Sequence, residues 1–323
     1  MALSRRSFFR TVGAIGAGGV AAGAASREAR ASSGPAVSDD LMGVLVDIPK
    51  CIGCRRCEYA CQDAADYADY SPPSVDKFED KSVMDQPRRP YPRSHTVINR
   101  YPNPQDPAKP LYNKFNCLHC IDPACLSACI VSAFSKQSDG PVVYNPQRCM
   151  GCRYCMIACP FEIPSYDYHM PLTPQVRKCN LCAHLVPDKQ AVPACVKICP
   201  EEVMTYGKRS DLLALAHERI RREPEVYIDH VYGEHEAGGT SWLWLSGVPF
   251  DQVGFKHFGH QAPPRLTETI QHGVFKHFLP PLMWYGLLGA AMWLTIPEGN
   301  ADSPGDEEAA ADPASQTRGI WDK

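Results

Sequence analysis

The sequence has little of several features that mark common classes of function. Lysine and arginine total 33 against 36 aspartates and glutamates, so the net charge is −3 and no basic patch indicates nucleic-acid binding. The chain contains neither a glycine-rich phosphate loop nor a G-x-S-x-G motif. It has no cysteine outside four tight groups, so none remains to bind nickel or molybdenum. These absences predict a chain with no catalytic residue and no substrate turnover of its own.

What the sequence does contain is sixteen cysteines in four groups of four. Two groups have the spacing C-x2-C-x2-C-x3-C, which is the bacterial ferredoxin run for a [4Fe–4S] cluster. Sixteen thiolates are enough for four such clusters, so the sequence predicts electron transfer through four [4Fe–4S] clusters. The predicted iron ligands are Cys51, Cys54, Cys57 and Cys61; Cys117, Cys120, Cys125 and Cys129; Cys149, Cys152, Cys155 and Cys159; and Cys179, Cys182, Cys195 and Cys199.

Two other cysteine chemistries are alternatives. Zinc sites use C-x2-C pairs, but a third cysteine at x2 and a fourth at x3 is not zinc-finger spacing. Disulfide frameworks of this density belong to short chains that lack a core, whereas this chain has 323 residues. An exported metal-storage or disulfide-rich structural protein and a free-standing ferredoxin shuttle are therefore the alternatives to a membrane-associated electron relay.

The cysteine pattern repeats along the chain. Residues 51–61 align with residues 149–159, and each copy follows a short strand-like run that ends at Pro49 or Pro146. A strand, a cluster loop and a short helix form one half of a ferredoxin, and the groups beginning at Cys117 and Cys179 supply the second halves. The predicted fold is α+β, with two interleaved ferredoxin-like dicluster modules in residues 41–61 and 111–210.

Two segments extend this core. Residues 62–110 are rich in proline and tyrosine, which favours an ordered loop packed on the body or on a partner over a floppy linker. In the extension 211–273, Ser210 is the predicted cap of a helix that ends at Pro224, and residues 226–232 and 242–245 resemble strands.

Both ends of the chain indicate a membrane-side location. Residues 1–31 combine Arg5-Arg6, a weakly apolar stretch and a small-residue cleavage site, as in a twin-arginine export signal. That route carries folded proteins, which suits clusters assembled in a reducing cytosol. Residues 274–297 include eighteen uncharged residues from Leu279 to Ile296, which predicts a membrane anchor helix. The alternative is an amphipathic or buried helix that docks on a membrane partner. Residues 298–323 form an acidic tail predicted to be disordered.

Basic residues and histidines flank the cysteine groups. Arg55, Arg56, Arg153, Arg177 and Lys178 could raise cluster potentials, although solvated surface charge is the simpler interpretation for any one of them. His119, His184, His272 and His277 are not expected to be ligands, since four cysteines complete each cluster.

The order of the four cysteine groups, with 159–167 reading CPFEIPSYD, resembles the four-cluster iron–sulfur subunits of respiratory oxidoreductases. These include the beta subunits of molybdopterin enzymes such as formate dehydrogenase and the dimethyl sulfoxide or polysulfide reductases. The resemblance is greatest to the iron–sulfur subunit of the hydrogenase-2-type periplasmic [NiFe]-hydrogenase. The strings that carry it are YGEHE at 232–236, GGT at 238–240, GVPF at 247–250 and IQH at 270–272.

The resemblance implies crossed ligation, in which the last cysteine of one group completes the cluster of another. The implied sets are Cys51, Cys54, Cys57 and Cys199; Cys179, Cys182, Cys195 and Cys61; Cys117, Cys120, Cys125 and Cys159; and Cys149, Cys152, Cys155 and Cys129. It also implies electron transfer between a periplasmic catalytic subunit, either a [NiFe]-hydrogenase or a molybdopterin enzyme, and a quinone-reactive subunit of the inner membrane. The implied location is the periplasmic side of that membrane, reached by twin-arginine export.

Overall fold

The computed structural model describes residues 41–65, 73–169, 175–185, 192–264 and 279–295. The predicted export signal and the predicted disordered tail therefore lie outside the described residues, as do His272 and His277. The strands are β1 Met42–Asp47, β2 Thr96–Tyr101, β3 Leu111–Asn116, β4 Phe134–Lys136, β5 Val142–Tyr144, β6 Ser165–Asp167, β7 Gln175–Arg177, β8 Met204–Lys208 and β9 Trp242–Leu245. The α-helices are α1 Arg56–Asp63, α2 Ala124–Ser127, α3 Tyr154–Ala158, α4 Ala194–Lys197, α5 Arg209–Arg222 and α6 Leu279–Leu294.

A three-stranded sheet in the order β8-β1-β9 organises the body. Strand β1 pairs antiparallel with β8 and parallel with β9. Because side chains alternate across a strand, Val44 and Val46 face one side, where they pack with cysteines of the first and fourth groups. Leu45 faces the other side, against helix α5. The sheet thus separates the cysteine-bearing side of the body from helix α5.

The short helices after the cysteine loops pack in two pairs. Helix α1 contacts α4, which joins the first cysteine group to the fourth, and α2 contacts α3, which joins the second to the third. The antiparallel hairpin β4-β5 connects the second group to the third. The predicted strands before the first and third groups are present as β1 and β5, and each leads through a 3₁₀ turn, Ile48–Lys50 or Pro146–Arg148, into its cysteine loop.

The described part of the proline-rich segment is built onto helix α1. Strand β2 lies within it and pairs antiparallel with β3 over six residues, from Thr96↔Asn116 to Tyr101↔Leu111. Phe78 is buried with its ring edge-on to Tyr59 of α1. Proline content hid this hairpin from the sequence analysis, because proline marks turns but does not report the strands between them.

A buried carboxylate fixes the segment to the helix. Glu58 of α1 is 1% exposed, and its Oε2 accepts from Arg55 Nη2 at 2.9 Å while its Oε1 accepts from Arg88 Nη2 at 2.5 Å. The same Oε1 accepts from the backbone N–H of Ile98 in β2 at 2.6 Å. One acidic side chain therefore holds the first cysteine loop, its helix and the inserted hairpin together.

The extension differs from expectation in two places. Ser210 is not the helix cap: α5 begins at Arg209 after Lys208, no side chain caps it, and the Arg209 N–H donates to the Leu41 carbonyl instead. Residues 226–232 are not a strand, since only Tyr232 forms a bridge, to Trp244. Pro224 before this segment and Gly233 after it favour turns, and Tyr227 and Val231 are buried by packing and not by strand pairing. Strand β9 lies at 242–245, as predicted.

A second unit, residues 271–323, contains helix α6. The sixteen residues of helix α6 carry no charge, and the side chains of residues 281–294 are exposed. No helix in the described ranges combines the length and apolarity needed to cross a membrane.

We expect Glu58→Gln to destabilise the protein by about 3 kcal/mol, since it leaves two arginines facing a neutral amide at a buried site. The measurement is the shift in thermal unfolding of the anaerobically purified chain, followed by circular dichroism. Glu79→Gln is the matched control, because Glu79 is exposed in the same segment. Equal unfolding temperatures for the two variants would show that the Glu58 charge does not stabilise the attachment of this segment to helix α1.

Candidate metal centres

All four cysteine loops share one backbone feature. The residue two positions after the first cysteine has a left-handed backbone in every group: Gly53 (φ 67°), His119 (φ 51°), Gly151 (φ 75°) and Leu181 (φ 56°). Such residues turn successive N–H groups toward one concave side, which creates an anion-binding nest. The glycines of the first and third groups announce this conformation in the sequence, whereas a histidine and a leucine in the other two do not.

The nests place N–H donors on sulfur. Gly151 N–H donates to Cys149 Sγ at 3.4 Å, and Leu181 N–H donates to Cys179 Sγ at 3.3 Å. A backbone hydrogen bond from Gly53 likewise lowers the pKa of Cys51, although burial dominates and raises it to about 11. The first thiolate of each of these three loops is therefore stabilised by the same i+2 amide.

The structure brings the sixteen cysteines together in four sites. Site 1 is a cavity lined by Cys51, Cys54, Cys57 and Cys199. Site 2 is lined by Cys61, Cys179, Cys182 and Cys195. Site 3 is lined by Cys117, Cys120, Cys125 and Cys159. At site 4, Cys129, Cys149 and Cys152 surround Cys155 closely enough for their charges to raise its pKa.

These groupings contain the same residues as the crossed sets implied by the family resemblance. The helix pairing explains them, because α1 carries Cys61 toward the fourth group while α4 carries Cys195 and leads to Cys199 beside the first. Iron ligation itself stays a prediction. All sixteen cysteines are free, and in the described part of the chain no three histidine, cysteine, aspartate or glutamate side chains are arranged to hold a single metal ion.

Burial determines the chemistry of these thiols. It raises the pKa of Cys61 and of Cys125 to about 12 and that of Cys57 well above its usual range. A buried thiolate needs nearby positive charge, and a coordinated metal deprotonates a thiol outright. The donor set therefore fits soft, cationic iron centres and fits poorly with bare thiolates.

Two buried donors near the cysteines support the same fit. Trp242 lines site 2 and is fully buried, yet its indole Nε1 has no hydrogen-bond partner among the described residues. His119, which lies between Cys117 and Cys120 in the chain and is also fully buried, accepts from the Val142 N–H through Nδ1 at 2.9 Å, and its Nε2 has no partner within the same ranges. Burial and nearby lysines hold the pKa of His119 well below its usual value, so the ring is neutral with its proton on Nε2. Cluster or thiolate sulfur would be a suitable acceptor for such N–H groups.

The four sites lie in sequence through the body. Cys57 of site 1 interacts electrostatically with Cys195 of site 2. Cys179 of site 2 interacts with Cys117 of site 3, and Cys125 of site 3 with Cys155 of site 4. These electrostatic interactions link site 1 to site 2, site 2 to site 3 and site 3 to site 4, which is the order a linear electron relay requires.

Two of the basic residues near the sites are buried, although solvated surface charge was the simpler expectation for each of them. Arg55 and Lys178 are buried, whereas Arg153 and Arg56 are exposed as in the simpler interpretation. Sequence analysis missed Lys114, which lies in β3, is 3% exposed and lines both site 1 and site 2. Lys114 lies in the strand LYNKFN beside buried residues. The sequence does not show that this segment is a buried strand, because that follows only from its pairing with β2.

An iron–sulfur protein is the class that this fold and these sites define. Residues 109–209 match the family described as a 4Fe-4S dicluster domain. A protein of Nitratidesulfovibrio vulgaris is 42% identical over 266 residues, covering 82% of this chain and 70% of that protein.

Two further relatives carry descriptive names. Hydrogenase-2 operon protein HybA of Escherichia coli O157:H7 is 32% identical over 314 residues, covering 87% of this chain and 92% of that protein. The iron-sulfur subunit of the nitrate-inducible formate dehydrogenase of Escherichia coli K12 is 34% identical over 249 residues, covering 76% and 80%. The chain belongs to this family of iron–sulfur subunits, and it is an electron-transfer subunit of an oxidoreductase complex rather than the catalytic subunit.

The nest geometry gives a testable position at Gly53. A Cβ there would lie 2.4 Å from the Tyr112 ring, and φ is already left-handed. We expect Gly53→Ala to cost about 2 kcal/mol by strain and crowding and to lower the iron content of the anaerobic protein. Gly259→Ala is the control, since no atom lies within 4 Å of its Cβ position. Normal iron content in both variants would show that this nest is not needed for cofactor binding.

Proposed function

We propose that the chain holds four [4Fe–4S] clusters, one in each cysteine site, within two interleaved ferredoxin-like modules. The observation that carries the proposal is the division of all sixteen cysteines into four quartets with no remainder. The bound clusters would supply reversible one-electron chemistry. The chain's own residues would hold the clusters side by side and stabilise sulfur through backbone N–H groups.

The proposed role is to carry electrons between a periplasmic catalytic subunit and a quinone-reactive subunit of the inner membrane. A [NiFe]-hydrogenase is the preferred catalytic partner, supported by the alignment with HybA over 87% of this chain. A molybdopterin enzyme such as formate dehydrogenase, or one resembling the dimethyl sulfoxide or polysulfide reductases, is the second candidate. The alignment with the formate dehydrogenase subunit over 76% of this chain favours the formate enzyme within that group.

Location is part of the proposal. The arginine pair in residues 1–31 supports twin-arginine export, and the uncharged stretch 279–296 supports a membrane anchor within 274–297. Apolar side chains exposed along α6, including Leu282, Trp284 and Trp293, suit a lipid or membrane-subunit environment.

Cluster content is tested by assaying iron and acid-labile sulfide in anaerobically purified full-length chain. We expect about sixteen of each per chain and new electron paramagnetic resonance signals on dithionite reduction. The protein alone should not reduce dyes with hydrogen or formate. A colourless protein without sulfide would refute the proposal, and four equivalents of zinc would assign the quartets to a different metal.

Partner and location are tested together with a C-terminally tagged chain expressed in its own host. We expect the wild type in the membrane fraction, facing the periplasm and co-purifying with a hydrogenase catalytic subunit. The variant with Arg5→Lys and Arg6→Lys should stay in the cytosol, because the signal requires both arginines. Recovery of a molybdopterin subunit would select the alternative partner, and equal export of the two chains would refute the twin-arginine route.

A further inference from the structure

Two lysines are buried at the junctions between neighbouring sites. Lys114 is 3% exposed and lines sites 1 and 2, while Lys178 is 5% exposed and lines sites 2 and 3. The junction between sites 1 and 2 therefore contains one lysine side chain, and the junction between sites 2 and 3 contains another. A lysine is almost never fully buried unless its charge is balanced.

Among the described residues, the groups that accept hydrogen bonds from Lys114 are neutral. Its Nζ donates to Thr96 Oγ1 at 2.6 Å and to Asn116 Oδ1 at 3.1 Å, and it lies 4.4 Å from the centroid of the Trp242 ring. The anionic groups that favour its charged form are cysteines of both sites, Cys57 in site 1 and Cys61, Cys179 and Cys195 in site 2.

Lys178 is arranged in the same way. Its Nζ donates to the carbonyl oxygens of Val142 and Cys179, and the latter bond is 2.9 Å long. It lies 5.9 Å from the Phe134 ring centroid and close enough to Cys125 of site 3 to lower the pKa of that thiol. Over the part of the chain that is described, neither ammonium forms an ion pair with a carboxylate. The negative charge that balances both lysines must come from the sites.

We propose that Lys114 and Lys178 are positioning charges shared by adjacent clusters, each raising the reduction potentials of the two sites it separates. The proposal rests on the four clusters proposed above. Transfer across a junction removes one electron from one cluster and adds it to its neighbour, so a charge placed between them stabilises the reduced form of either. A lysine at the junction therefore raises both potentials without favouring one side, whereas a charge on one side only would trap the electron.

The test compares Lys114→Gln and Lys178→Gln with the wild type in the full-length chain, purified anaerobically with its accompanying subunits. Glutamine retains hydrogen-bonding capacity but removes the charge. Lys109→Gln is the matched control, because the Lys109 side chain is 85% exposed. The readout is the set of cluster midpoint potentials, from redox titration followed by electron paramagnetic resonance.

We expect each Gln variant to lower two potentials, with a tenfold or larger change in the reduced-to-oxidised ratio, equal to about 59 mV for one electron. The site 2 potential should fall in both variants, the site 1 potential in Lys114→Gln and the site 3 potential in Lys178→Gln. The site 4 potential and the Lys109→Gln protein should match the wild type. Unchanged potentials, or an equal fall at all four sites, would overturn the proposal.

A variant that loses its clusters also tests the proposal. If Lys114→Gln lacks clusters, Lys114→Arg keeps the charge and should retain them; loss in both variants would assign Lys114 to packing and overturn its proposed role. Iron and sulfide in the wild type are measured first. A wild type without clusters would refute the proposed function itself, whereas sixteen irons with unmoved potentials in the variants would refute the lysine inference alone.

Discussion

Stabilising buried negative charge is the constraint on which the rest of this structure depends. The thiols of the first three sites are buried or half-buried, and desolvation raises the pKa of Cys57 and Cys120 and so favours the neutral form. The fold offsets this with backbone amides. The i+2 residue is left-handed in all four loops and donates its N–H to sulfur in three of them, and each such non-glycine residue carries a cost of about 1–2 kcal/mol. His119 and Leu181 accept that strain because the loop geometry requires it.

The scaffold around the loops can be understood from the same requirement. Four short helices are too small to be stable alone, so they pack in pairs. The α1–α4 pair packs with the β8-β1-β9 sheet and its tryptophans, and the α2–α3 pair packs with the β4-β5 hairpin. Glu58 links the first loop to a hairpin more than thirty residues away, through Arg55, Arg88 and the Ile98 amide. Rigidity matters here because cluster potentials depend on hydrogen bonds and solvent exposure.

Local features of this fold could be predicted from the sequence, and long-range ones could not. Cysteine spacing, the strands before Cys51 and Cys149 and the helical face of Leu212, Ala216 and Ile220 are short-range patterns. The β2-β3 hairpin depends on pairing across the interval 102–110, and proline-rich sequence on its N-terminal side obscures it. Ser210 failed as a cap because a tertiary contact, Arg209 N–H to Leu41, already satisfies the helix start. The burial of Lys114 could not be predicted either, because it follows from the pairing of β3 with β2.

Solvent exposure explains why the buried lysines occur at two junctions and the last site differs. The cysteines of sites 1 to 3 are buried or half-buried, and in a low-dielectric environment an uncompensated charge has a large, long-range effect on its neighbours. At site 4, Cys152 is exposed and Met150, Tyr154 and Ile157 extend into solvent around it. Water and ions can screen charge there, so the protein does not have to supply a fixed cation. The exposed site is consequently the one whose electrostatics a docked partner would change most, because covering it would remove that screening.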